Sequence, residues 1–182
     1  INNAGIIQPF VKVNELDYEA IERVMNVNFY GMLYMTKAFL PELLKRPVAH
    51  IVNVSSMGGF LPVPGQTIYG ASKAAVKLFS EGLYAELLDT KVGVTVVFPG
   101  ATATNITKNS GVKSPISEQA AKKSNIPTQS ADKVASLVLG AIKNNKLRVF
   151  AGKDSNFMNK LYRLNPAYAT KLIAKQMKSL LK

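Results

Sequence analysis

Two short apolar runs constrain this chain more than any other feature. Ile51-Val-Asn-Val54 and Val94-Thr-Val-Val-Phe98 are apolar at nearly every position and lack the strict alternation of a half-exposed strand. Such runs suit strands buried on both faces, predicted over 50–55 and from Gly93 to Phe98, where Pro99-Gly100 stops the second one. Segments with helical spacing flank them. Strands that alternate with helices and are apolar throughout imply a parallel sheet covered on both sides, an α/β architecture.

The helical segments can be read in order. Over 17–46, Ile21, Val24, Met25, Val27, Leu33, Phe39, Leu40, Leu43 and Leu44 recur with helical spacing. Asp17 is the expected N-cap, and Pro47 the expected end. Gly31 and Pro41 point to two helices or one bent helix. A second helix is expected over 68–89, a third over 131–144, and a short strand over 147–151. Helices at 155–164 and 167–181 are separated by Pro166. Between these elements, residues 101–130 are rich in Ser, Thr, Asn, Gly and Pro, which predicts a long loop with one short helix. Long ordered loops are usually functional.

Composition narrows the class. A chain of 182 residues, 47% hydrophobic and 19% charged, suits one globular domain. It has no cysteine, which excludes disulfides and cysteine-ligated metals and fits a cytoplasmic setting. His50 is the single histidine and starts a strand with no cluster of partners, so no metal site is expected. No apolar run reaches the roughly 18 residues that a spanning helix needs, and no signal-peptide pattern opens the chain.

Charge is uneven. Between 143 and 182, ten Lys or Arg stand against one acid, Asp154, and so carry +9 of the net +12. In the last helical segment Ala169, Ile173, Met177 and Leu180 share one face, with Lys171, Lys175, Lys178 and Lys182 opposite. That pattern suits a helix lying on an anionic membrane surface, and equally one packed on its own domain or on another subunit. Nucleic acid is not expected, because no base-stacking aromatics accompany the lysines.

In a parallel sheet of this kind, ligands bind beyond the carboxyl ends of the strands. Ser56, Pro99-Gly100 and Asn3 all fall there. Tyr69 and Lys73 stand four residues apart at the start of the second helix, hence on one face of it. A nearby cation favours an ionised phenol, so Lys73 is expected to lower the pKa of Tyr69 and fit it for proton transfer. Ser56 lies thirteen residues before Tyr69, at the end of the first strand. Ser55 is its rival for any catalytic role, and a serine there could instead simply cap a turn.

Four motifs together resemble the short-chain dehydrogenase/reductase family over essentially the whole chain. They are Asn2-Asn3-Ala4-Gly5, Asn28-Phe-Tyr-Gly31, Ser56 with Tyr69 and Lys73, and Pro99-Gly100 followed by Thr104. The resemblance implies a Rossmann-like doubly wound sheet and an NAD- or NADP-dependent oxidoreductase that interconverts a carbonyl and a secondary alcohol. In that family Tyr69 would be the general acid/base and Lys73 would bind the nicotinamide ribose. Ser56 would bond the substrate oxygen, and Asn28 would hold a water that relays protons to Lys73. Asn2, Asn3, Ala4 and Gly5 would lie beside the adenosine side of the cofactor. Pro99, Gly100, Thr102 and Thr104 would border the nicotinamide.

The resemblance also makes 101–130 a substrate lid and implies a homodimer or homotetramer through helices 17–46 and 68–89. The loop residues Phe60, Leu61 and Pro62 are expected to wall the substrate pocket and favour a hydrophobic substrate. One family feature has no counterpart: a Gly-rich turn for the cofactor pyrophosphate, since Gly58-Gly59 lies in another context. The expectation is therefore a C-terminal fragment or truncated product of a longer enzyme. A non-catalytic relative that binds a partner or a membrane surface through its basic tail is the competing reading.

Overall fold

A computed structural model describes residues 1–113 and 128–178. Three parallel strands, β1 (Ala49–Val54), β2 (Val92–Pro99) and β3 (Arg148–Ala151), stand side by side in that order. Asn2 adds a single parallel bridge on the other edge of β1, opposite Asn53. Its N–H donates to the Val52 carbonyl at 2.8 Å, and its own carbonyl accepts from Val54 at 3.0 Å.

Successive residues of these strands face opposite ways, which gives each run two cores to fill. On one side Ile51, Val92 and Val94 pack with Leu83 and Leu87, and with Leu40 and Leu43. These leucines come from α2 (Gly31–Leu43), from α3 (Thr67–Glu86) and from the turn just after it. On the other side Val52, Val97 and Ala151 pack with Val134, Val138 and Ile142 of a later helix, Ala131–Lys143. Both faces are covered, as the absence of alternation implied. The architecture is the doubly wound α/β sheet.

The expected helix over 17–46 is continuous but not uniform. α1 (Tyr18–Met25) passes into a π-helical stretch, Asn26–Tyr30, and then into α2. The irregularity thus sits just before Gly31. Pro41 is tolerated inside α2, which ends at Leu43, ahead of Pro47. Asp17 occupies the N-cap position of α1 with extended dihedrals, but its carboxylate makes no capping bond.

After β2 the short α4 (Ile106–Asn109) is followed by α5 (Ala131–Lys143), β3, α6 (Lys153–Leu164) and α7 (Pro166–Gln176). Most of the expected lid, 114–127, lies outside the described residues, as do Leu180 and Lys182. In α7, Ala169 and Ile173 are buried against Leu61 and Met158, with Met177 packed at the edge. Of the two readings of that helix, packing on its own domain is the one that Ala169, Ile173 and Met177 support. Among the described residues, no helix is long and apolar enough to cross a membrane.

Candidate active site

The end of β1 delivers two serines with different fates. Ser55 is buried, and its hydroxyl donates to the Lys73 carbonyl at 2.7 Å. Ser56 is extended and opens a 3-10 turn, Met57–Gly59, whose Gly58 N–H it accepts at 3.0 Å. Ser55 is thus committed to the backbone of α3. Ser56 caps a turn and still faces a cavity. Gly59 makes the close approach possible: a Cβ there would stand 2.6 Å from the Ser55 hydroxyl and 2.8 Å from the Lys73 carbonyl.

Tyr69 lies in the first turn of α3 and Lys73 one turn later. The Lys73 side chain is buried, and its Nζ donates to the Val54 carbonyl at 3.0 Å and stands 6.0 Å from the centre of the Tyr69 ring. An ammonium has three donors, so among the described residues two remain for a ligand. Gly5 brings main chain up to that ammonium, since a Cβ on it would be 3.0 Å from Nζ.

Asn28 sits buried in the π-helical stretch, a local geometry that recurs at functional sites. Its carboxamide accepts from the Ile6 N–H at 2.8 Å, donates to the Ile6 carbonyl at 2.9 Å and also donates to the Ser72 hydroxyl at 2.9 Å. It clamps the segment after Gly5 and, among the described residues, makes no direct bond to Lys73.

The turn after β2 is fastened from below. Gly100 N–H donates to Ala151, Ala101 N–H donates to the Asp154 carboxylate at 2.7 Å, and the Thr102 hydroxyl donates to the Gly100 carbonyl at 3.0 Å. A side chain on Gly100 would collide with Asp154. Sequence reasoning passed over Asp154, although a lone acid in a basic segment was the signal for it. Sequence reasoning also passed over Gln8, a loop residue with no local signal.

These elements enclose a cavity of about 640 Å³. Asn3, Gly5, Ser56, Tyr69, Lys73, Pro99, Gly100, Thr102 and Thr104 all line it. Asn2 and Ala4 do not: the Asn2 amide points inward to Asn53 at 2.8 Å and Thr36 at 3.2 Å. The apolar part of the wall includes Pro99, Ile106, Val134, Val138 and Leu139, and not the 60–62 loop. Leu61 is fully buried in the α7 core and Phe60 packs on Phe98 and Phe150, so this expectation is corrected.

The electrostatics also correct an expectation. Burial pushes the Tyr69 phenol above its usual range, with the Ser56 hydroxyl opposing. Burial lowers the Lys73 ammonium to about 8. Desolvation of the phenol outweighs the cation 6.0 Å from its ring, whose own hydrogen bond goes to a carbonyl.

A doubly wound sheet with Ser, Tyr and Lys side chains gathered at the carboxyl ends of its strands defines a Rossmann-like α/β class by fold. Residues 1–114 match the sequence model of the short chain dehydrogenase family, and the chain belongs to that family. SadH of Mycobacterium tuberculosis is 33% identical over 178 residues, 95% of this chain and 64% of SadH. A short chain dehydrogenase/reductase from Burkholderia phymatum, solved in complex with NAD, superposes with a TM-score of 0.79 at 25% identity, covering 92% of this chain and 65% of that one. A short chain dehydrogenase from Burkholderia cenocepacia in complex with NADP gives a TM-score of 0.76 at 26% identity, over 96% of this chain and 66% of that one. The chain therefore spans about two thirds of the length of these relatives.

Proposed function

We propose that the protein to which these residues belong is an NAD- or NADP-dependent oxidoreductase that interconverts a carbonyl and a secondary alcohol, with Tyr69 as general acid/base. The observation that carries this reading is the convergence of Ser56, Tyr69 and Lys73 on one cavity from segments far apart in sequence. Family membership and the NAD and NADP complexes of the two Burkholderia proteins support the cofactor class.

The residues present fit the nicotinamide half of such a cofactor. Gly5 leaves space beside the Lys73 ammonium, and that ammonium has two donors free for ribose hydroxyls. Asn3 would hold the adenosine side, and Pro99, Gly100, Thr102 and Thr104, which line the same cavity, would border the nicotinamide. Bound there, the cofactor would supply or accept the hydride.

The chain's own part is proton handling and orientation. In reduction Tyr69 gives its phenolic proton to the substrate oxygen as the carbon is reduced, and in oxidation it takes that proton back. The Ser56 hydroxyl donates to the same oxygen, where negative charge develops. Lys73 would hold the ribose hydroxyls and return a proton to Tyr69. Asn28 fixes Ile6, and with it the Gly5 turn, against the ammonium; a water held beside it would complete the relay. Pro99 and Ile106 in the wall favour a hydrophobic substrate.

The test is turnover by the full protein of a panel of ketones and secondary alcohols of graded hydrophobicity, followed through nicotinamide absorbance with each cofactor. Turnover of at least one pair, strongest among the apolar members, is expected. A cofactor that binds without turnover of any member sinks the reading.

A further inference from the structure

The helix that carries Tyr69 is capped by a residue far from it in sequence. Gln8 is fully buried, and its Oε1 accepts the N–H groups of Ile68 at 2.7 Å and Tyr69 at 3.1 Å. These are the second and third residues of α3, whose amides have no partner inside the helix. Gln66, in the N-cap position itself, makes no side-chain cap; its Nε2 donates instead to the Gln8 carbonyl at 2.9 Å.

Gln8 ends a strap whose consecutive residues are each fixed from elsewhere in the chain, with α3 met at both ends. Gly5 abuts Lys73, Asn28 holds Ile6 at both its N–H and its carbonyl, and the Ile7 N–H donates to the Ser110 hydroxyl at 2.9 Å. Gln8 then grips the head of α3. A serine or aspartate at the N-cap could satisfy the same amides locally. A cap delivered by the strap does something more, because it sets the main chain of Tyr69 in register with the turn that meets Lys73.

The chemistry of the cap is informative as well. The Gln8 Nε2 has no partner among the described residues. A glutamate would leave no orphaned donor and would favour the positive end of the helix. It would also put a negative charge beside Tyr69 and oppose loss of the phenolic proton. The amide keeps the acceptor without that charge.

We propose that Gln8 is a positioning residue for Tyr69: its uncharged oxygen fixes the first turn of α3 relative to the 2–5 segment that meets Lys73, and so sets where the Tyr69 side chain starts. This rests on the reading of Tyr69 as the acid/base. A misplacement of about 1 Å at a reacting group can cost on the order of a hundredfold in rate.

The experiment uses the full protein, NADH or NADPH, and the best substrate of the panel. Gln8→Met keeps the volume and removes the acceptor. Its kcat is expected to fall about tenfold or more while the cofactor dissociation constant changes less than about threefold. Gln8→Glu keeps the acceptor, and two N–H donors hold its carboxyl ionised. It should recover most of kcat at alkaline pH and move the pH profile of alcohol oxidation up by roughly half a unit or more.

A Gln8→Met protein with lowered Tm and unchanged kcat overturns the proposal, as does an unmoved profile in Gln8→Glu. If Gln8→Met does not fold, the Gln8→Glu profile decides alone. Turnover that survives Tyr69→Phe points elsewhere: it removes the assigned role of Tyr69, whatever the Gln8 variants do.

Discussion

At Tyr69 and Lys73, burial works on a phenol and an ammonium in opposite directions and leaves both closer to neutral. The helical spacing of the pair was visible in the sequence; the direction of the phenol's shift was not. Val54 and Gly5 close in on the ammonium and Gly58 and Ser56 on the phenol ring, all from other segments, and no local pattern records it. The shift has a consequence for stability. Folded Lys73 releases its proton at about 8 and the unfolded residue at 10.5, so between those values the unfolded chain holds the extra proton. Stability therefore rises with pH through that window. From pH 7 to about pH 9.5 the gain is on the order of 2 kcal/mol for the cofactor-free protein. Tyr69 works the other way only above its ordinary pKa of 10.0, where the unfolded phenol ionises first. Urea midpoints at the two pH values check this. Lys73→Met should remove most of the rise, and an equal rise in that variant would show that other groups carry it.

Among the elements, β1, β2 and α3 were readable because their apolar periods are strong and Pro or Gly bounds them. The π-helical stretch at Asn26–Tyr30 was not, because nothing in its residue types separates it from the helix on either side. The 57–63 loop misled for a related reason: Phe60 and Leu61 had to be buried somewhere, and composition does not say against what. They turn towards Phe98, Phe150 and α7, away from the cavity. Gly59 shows how tightly β1 and α3 are joined there. Gly59→Ala would drive a methyl into the backbone at Lys73 and should cost about 1–3 kcal/mol. Gly140→Ala in α5 meets nothing within 4 Å and should stabilise by about 0.5–1 kcal/mol. Thermal unfolding of the two variants compares them directly; equal Tm changes would contradict the close fit at Gly59.

At the scale of the whole molecule, the site exists only because a parallel sheet gathers distant chain segments at one end. Asn3 and Gly5 arrive beside β1, Ser56 from its end, Tyr69 and Lys73 from the next helix, and Gly100 and Thr102 from the end of β2. That convergence followed from the order of strands and helices. The fasteners that hold it, Gln8, Ser110 and Asp154, did not, since each acts through long-range hydrogen bonds that leave no periodic trace. For the last helix the amphipathic pattern allowed a membrane surface or the domain itself, and Ala169 and Ile173 of α7 pack on Leu61 and Met158.

The central claim is that Tyr69 moves the proton, and it is tested most directly by Tyr69→Phe in the full protein. The variant keeps the ring and loses only the hydroxyl. The expected result is a kcat at least about a hundredfold lower, the scale of general acid–base contributions, with NADH or NADPH bound about as tightly as before. Turnover within a few fold of wild type would contradict the claim.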